Sequence, residues 1–307
     1  MARPLGFVGC GHMGGAMALR LVEAGYPLVV CDPDAAALAP LIEKGATAFE
    51  TPREVADRAE IVFACLPSQE ISKAVACGDD GVAHGKAIRI YIESSTIGQP
   101  TVTAIADRLA AANIAVLDMP VSGGPSWARE GKLTTILSGP EHARDAVASI
   151  LSRLAGRTIV VGDTAGLAQV AKIVNNALSL TAMMITSEAM VTGVKAGVDA
   201  AALIEVINAG TGRNSASVDK FPKSVLPRKF AYGGPIGIGL KDMELYIDLG
   251  RTTGASTPVG ATVADMWPVI TEDVGAHSDL TAMVRYFEKI AGVEVRGDGH
   301  DDPTQSN

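Results

Sequence analysis

The stretch GFVGCGHMGGAM, residues 6–17, spaces Gly9, Gly11 and Gly14 as G-x-G-x-x-G, directly after an apolar run and at the head of a helical pattern. Each glycine has its own task in such a turn. Gly9 permits the tight turn, Gly11 lets the backbone approach a pyrophosphate, and Gly14 lets helix and strand pack closely. The N-terminus of the helix then offers free N–H groups and a positive dipole end to the phosphates. Gly9, Gly11, His12, Met13 and Gly14 are read as cofactor-binding on this basis. The next apolar run, LVVCD, ends in Asp32, eighteen residues past Gly14. A carboxylate there accepts from both ribose hydroxyls and repels a 2′-phosphate. Pro33 stands where an arginine would accommodate that phosphate, so NAD is the expected cofactor. The same residues, DPD, also read as a strand-end turn.

Beyond this turn the first half continues the alternation. LGFVGC, LVVCD, IVFACLP, IRIYIESS, IAVLDMPV and TIVVG read as strands buried on both faces. GGAMALRLVEAG, DAAALAPLIEKG and PTVTAIADRLAAAN have helical spacing and end in Gly or Asn, common residues just past a helix C-terminus. Strand–helix alternation predicts an α/β domain with a doubly wound, mostly parallel sheet over 1–163. From 164 to 296 the pattern is helical throughout, predicting an all-α domain joined by one long helix over 165–195. That helix is apolar nearly all round, as for a helix buried between two partners. Further helices are expected at 199–209, 241–254, 257–272 and 279–291, with Ser278 and Asp279 as caps for the last. The polar segment 297–307 is expected to be a flexible tail.

The chain has 307 residues, of which 48% are apolar and 20% charged, a composition for two globular domains. Its net charge is −8 and it has no basic run, which argues against nucleic acid and acidic membrane surfaces as partners. The four cysteines lack metal-type spacing and sit mostly in strand-like runs, so reduced core thiols are expected and no metal site. No signal peptide opens the sequence and no uncharged apolar stretch approaches membrane-spanning length, so a cytoplasmic protein is expected. The apolar long helix predicts a homodimer or homotetramer through the helical half.

Two further stretches carry chemistry. DMPVSGGPSWAREGKLT, residues 118–134, is a glycine-rich crossing between two strands. Successive N–H groups at Ser122, Gly123 and Gly124, with the Ser122 hydroxyl, form a nest for a carboxylate; as a bare sequence it is equally a turn. QVAKIVNNA, residues 169–177, places Lys172, Asn175 and Asn176 inside the apolar helix. Lys172 and Asn176 are i,i+4 neighbours, with Gln169 at i−3 of the lysine, so they form one polar stripe. A desolvated lysine suits proton exchange with an alcohol, and an amide one turn on can hold its hydroxyl. Amides and a snorkelling lysine sealing a helix interface are the structural alternative.

Four blocks in order, GFVGCGHMG, ESSTIGQP (93–100), DMPVSGG, and GLAQVAKIVNN with KDMELYIDLG (241–250), resemble the β-hydroxyacid dehydrogenase family along nearly the whole chain. The resemblance implies a Rossmann-type nicotinamide-binding domain followed by an all-α domain, and Lys172 as the catalytic residue. It also implies Asn176 beside a small 3-hydroxy acid substrate, Ser122–Gly124 at its carboxylate, and Leu66, Pro67, Thr96 and Lys241 at the cofactor. Three positions depart from the family pattern: Ala168 and Glu93 replace the usual Gly and Asp, and PSWARE (125–130) replaces a small turn. Imine reductases share the fold but generally replace the lysine. A 2-hydroxy-3-oxopropionate reductase type is a further relative reading, a 6-phosphogluconate-type enzyme would need phosphate ligands such as Arg213, and a non-catalytic NAD sensor would not need Lys172 and Asn176.

Overall fold

The first strands are runs of four residues with every side chain buried, as a parallel sheet covered on both faces requires. The computed structural model describes residues 3–297. The expected tail lies outside them apart from Gly297, whose N–H donates to Leu226 O at 3.1 Å. By contact the chain divides into two units, Met1–Ile173 and Val174–Asn307.

In the first unit the elements run β1 (Leu5–Val8), α1 (His12–Glu23), β2 (Leu28–Cys31), α2 (Ala35–Glu43), β3 (Thr47–Ala48), α3 (Pro52–Ala56) and β4 (Ile61–Ala64). They continue with α4 (Gln69–Cys77), β5 (Ile90–Glu93), α5 (Gln99–Ala110), β6 (Ala115–Asp118), β7 (Val121–Ser122), α6 (Pro125–Glu130), β8 (Leu133–Ser138), α7 (Glu141–Leu154) and β9 (Ala155–Gly162). The sheet order is β3-β2-β1-β4-β5-β6-β8-β7, with β9 on β8. Strands β1 to β6 pair in parallel, while β8 runs antiparallel to β6 and β7. Successive residues serve opposite faces, as the two-residue period of a strand dictates. Phe7, Phe63, Ile92 and Leu117 join one core, and their neighbours Val8, Val62, Tyr91 and Val116 join the other. One strand differs from expectation. β9 is largely exposed, with Val160 at 54%, because it lies at the sheet's edge on β8 and none of the described residues covers it.

α8 (Leu167–Lys195) follows, then α9 (Ala200–Ala209), a π-helix (Ala216–Val225), α10 (Ile236–Thr253), α11 (Pro258–Val274), a 3₁₀ turn (Leu280–Met283) and α12 (Val284–Ala291). Asp279 caps that 3₁₀ turn through the Thr281 N–H at 2.9 Å. α10 begins five residues earlier than expected, in a glycine-rich segment that reads against helix. Packing explains one of those glycines: a Cβ on Gly239 would lie 2.2 Å from the buried Trp267 ring.

α8 is not covered all round within the chain. Ala177, Leu180, Met183, Met190 and Val191 face the second unit's core, whereas Val174, Leu178 and Ile185 are 40%, 69% and 53% exposed. By length and composition it also reaches membrane-spanning range, at mean hydropathy 1.3. The expectation concerned uncharged stretches, and Lys172, Glu188 and Lys195 all fall within this helix. Its core-facing methionines are those of a helix packed inside a folded unit.

Candidate active site

The parallel strands end in a common row. Cys31 pairs with Val8, Val8 with Ala64, Ala64 with Glu93 and Glu93 with Asp118. Asp32, the Gly9–Gly14 turn, Leu66, Pro67 and Thr96 leave the sheet just beyond this row, and Gly123 and Gly124 follow the short β7. The carboxyl edge of such a sheet is where the fold binds ligands, at the reversal of strand order that here flanks β1.

The glycine turn separates two demands on the backbone. Gly9 has φ +84°, and a Cβ there would lie 2.4 Å from Cys65 O; a Cβ on Gly14 would lie 1.9 Å from Gly9 O. Those glycines are required by the fold. Gly11 has an ordinary φ of −61°, and a Cβ on it would meet nothing within 4 Å. The open space lies at the N-terminus of α1, where His12 is exposed, Met13 is half-buried and no side chain caps the free N–H groups. Free N–H groups at the positive end of a helix, facing open space, are what a pyrophosphate needs, so these residues fit a dinucleotide.

Asp32 braces this turn: Oδ2 accepts from Cys10 N–H at 2.6 Å and Oδ1 from Asp34 N–H at 2.8 Å. The strand-end turn reading of DPD therefore holds, and each carboxylate oxygen keeps a lone pair for a ribose hydroxyl. Leu66 N–H donates to Ser95 Oγ at 2.7 Å, fastening the loop after β4 to the loop after β5. Pro67 is exposed and Thr96 half-buried.

The polar residue with the most partners here is Gln169, completely buried at the start of α8. Its Nε2 donates to Ser95 O at 2.9 Å and Asp118 Oδ1 at 2.7 Å, and its Oε1 accepts from Ile97 and Gly98 N–H at 2.9 and 3.1 Å. Asp118 Oδ2 accepts from the backbone N–H of Gly166 and Gln169 at 3.0 and 2.9 Å, and Ser138 Oγ accepts from Ala168 N–H at 3.0 Å. The first turn of α8 is thus capped from the ends of β6 and β8. Lys172, three residues past Gln169, is itself buried, at 8% exposed. Beside this network Glu93 accepts from Ser95 N–H and Tyr91 O–H. Burial pushes Glu93 up to about 7 and Asp118 up to about 6, and each Asp118 hydrogen bond opposes the rise.

Ser122 pairs with Thr134 at the end of β7, and Gly123 and Gly124 take φ values of +137° and +86°. The crossing read as a loop contains α6, which starts directly after Gly124. Trp127, half exposed at 50%, lies against Gly123, where a Cβ would come within 2.9 Å of its ring.

In the second unit, Asn176 Nδ2 donates to Asp242 Oδ2 at 2.6 Å, and Lys241 Nζ lies 2.9 Å from Asp242 Oδ1. The buried Asp242 brings the two expected residues together and fixes the Asn176 amide. Arg213 is exposed. Sequence reading did not single out Asp118, Ser138, Glu93 or Asp242 as site residues. Glu93, Asp118 and Asp242 each lie in a quoted block, and Ser138 has no such signal.

Known proteins resemble this chain along most of its length. Residues 4–162 match the family model described as the NAD binding domain of 6-phosphogluconate dehydrogenase. Residues 166–287 match that described as the NAD-binding of NADP-dependent 3-hydroxyisobutyrate dehydrogenase. The chain is 33% identical to 3-hydroxyisobutyrate dehydrogenase of Pseudomonas aeruginosa, over 90% of this chain and 95% of that one. It is 30% identical to 2-(hydroxymethyl)glutarate dehydrogenase of Eubacterium barkeri, over 95% and 97%. A solved structure of Mycobacterium tuberculosis 3-hydroxyisobutyrate dehydrogenase with L-serine superposes with TM-score 0.85 at 29% identity, covering 93% of this chain and 99% of that one.

Proposed function

The chain belongs to the β-hydroxyacid dehydrogenase family, and from that membership we propose that it interconverts a small 3-hydroxy carboxylic acid and its carbonyl form, with NAD. Membership makes it a nicotinamide-dinucleotide-dependent oxidoreductase of a CH–OH group. Its relatives are named for different hydroxy acids, 3-hydroxyisobutyrate and 2-(hydroxymethyl)glutarate among them, and both are 3-hydroxy acids.

The bound dinucleotide supplies a hydride acceptor in oxidation and a donor in reduction. Gly9–Gly14, Asp32, Leu66, Pro67, Thr96 and Lys241 hold it. Asp32 supports NAD over NADP, since its carboxylate would repel a 2′-phosphate. Ser122, Gly123 and Gly124 bind the substrate carboxylate through backbone N–H groups and the serine hydroxyl. Lys172 takes the proton of the substrate hydroxyl as the carbonyl forms, and returns it in reduction. Asn176, its amide fixed by Asp242, donates its second N–H to that hydroxyl oxygen. All four cysteines are unpaired, which supports a reducing, cytoplasmic setting.

The observation that carries this reading is the burial of Lys172 on a helix whose first turn is pinned to the carboxyl edge of the sheet. We test it with nicotinamide absorbance on 3-hydroxyisobutyrate, 3-hydroxypropionate, glycerate, threonate and serine, using NAD and NADP. Lys172→Ala should lower kcat at least ~10²-fold with NAD affinity retained. Near-normal turnover in that variant would sink the mechanism, and a wild-type preference for NADP would sink the role of Asp32.

A further inference from the structure

The second unit contains a buried cation that the reaction above does not use. Ala216–Val225 is wound as a π-helix, a rare form frequent at functional sites. Its Lys220 is only 6% exposed. The ammonium donates to Ser179 Oγ and Ser215 Oγ, each at 3.3 Å, and lies 5.6 Å over the Tyr232 ring. The neighbouring Asp219 is engaged by Lys223 and the Tyr232 hydroxyl. Among the described residues no carboxylate forms an ion pair with Lys220. Burial is costly for an ammonium, and here it outweighs the nearby Asp219 charge and holds the Lys220 pKa below the usual lysine range. An arriving anion would reverse both effects.

The position of this cation gives it meaning. Ser179 lies three residues past Asn176 on α8, on the same face and about 4.5 Å further along. Ser179 is half-buried, and Ser215 and Tyr232 are exposed, so the ammonium sits beneath an open rim. We propose that Lys220, Ser179 and Ser215 bind a second carboxylate on the substrate, so that the preferred substrates are 3-hydroxy acids with an acidic C2 side chain. This rests on the reading that Asn176 holds the substrate hydroxyl. A hydroxyl and a carboxylate separated by three to four carbons span about one helical turn.

The test compares kcat/KM for 2-(hydroxymethyl)glutarate and 3-hydroxyisobutyrate. Wild-type protein should favour the diacid at least ~10-fold. Lys220→Met should cut that ratio by ~10- to 100-fold, chiefly through KM, the usual worth of a charged hydrogen bond. Ser215→Ala, at an exposed hydroxyl, should cut it ~3-fold or more and decides the matter if Lys220→Met fails to fold. An unchanged ratio in these variants, or a wild-type preference for the monoacid, overturns the subsite. Binding of glutarate, which has no hydroxyl to oxidise, is measured alongside by calorimetry. If no 3-hydroxy acid is turned over, the dehydrogenase reading fails on its own account. Glutarate binding that is lost in Lys220→Met then upholds the subsite, and the absence of glutarate binding overturns it.

Discussion

At the scale of single residues, Glu93 and Asp118 stand side by side at the ends of adjacent strands, with almost no solvent around either. Burial is the main cause that raises Glu93 from 4.5 to about 7, with the Asp118 charge adding to it. Between those two pH values the folded protein keeps a proton on Glu93 that the unfolded chain has released. Stability therefore falls as pH rises across that window and is not regained above it. Glu93→Gln keeps the shape and an acceptor for Ser95 N–H while removing the charge. The variant should be more stable than wild type at pH 8 by at least ~1 kcal/mol, and its stability should vary less between pH 4.5 and 7. Urea denaturation at pH 5 and pH 8 measures both effects, and a variant weaker than wild type at pH 8 would show that Glu93 is held as a stabilising anion. The sequence placed both acids in quoted blocks but not beside each other, because strand pairing across 25 residues leaves no mark in the chain.

At the scale of elements, the start of α8 is held by side-chain bonds to β6, β8 and the 95–98 loop. Gln169 alone joins α8 to the 95–98 loop and to β6, across sequence separations of 71 to 74 residues and of 51 residues. Such separations are why the stripe Gln169–Lys172–Asn176 was legible as a polar face while the partners of Gln169 were not: helical period shows direction, and tertiary pairing has no period. Gln169→Met would leave the N–H groups of Ile97 and Gly98 and the carbonyl of Ser95 buried and unmatched. We expect a loss of ~2–4 kcal/mol in stability and a raised KM for NAD as the loop carrying Thr96 loosens. Destabilisation without any change in that KM would assign Gln169 a purely structural part. The strands of β1 to β6 were legible for the opposite reason, since a strand covered on both faces is a plain apolar word. The π-helix escaped because Pro222 and five polar residues interrupt ASVDKFPKSV, and α6 because it is short and enters from two glycines.

At the scale of the molecule, α8 begins in one unit and supplies core residues to the other. Its outward stripe of Val174, Leu178 and Ile185 is apolar and open, which supports the homodimer or homotetramer proposed from the sequence. Light scattering at micromolar concentration should give a multiple of 31.6 kDa, and Leu178→Glu should shift the mass toward the monomer. A monomeric wild type ends the proposal. The turn at Gly11 has a consequence of another kind. Its neighbours Gly9 and Gly14 are demanded by the chain's own atoms, while Gly11 borders only empty space. Selection thus writes two instructions in one letter. A descendant that abandoned its cofactor would keep the outer glycines for folding and drift at the middle one, so position 11 is where the loss of the ancestral chemistry would first be recorded.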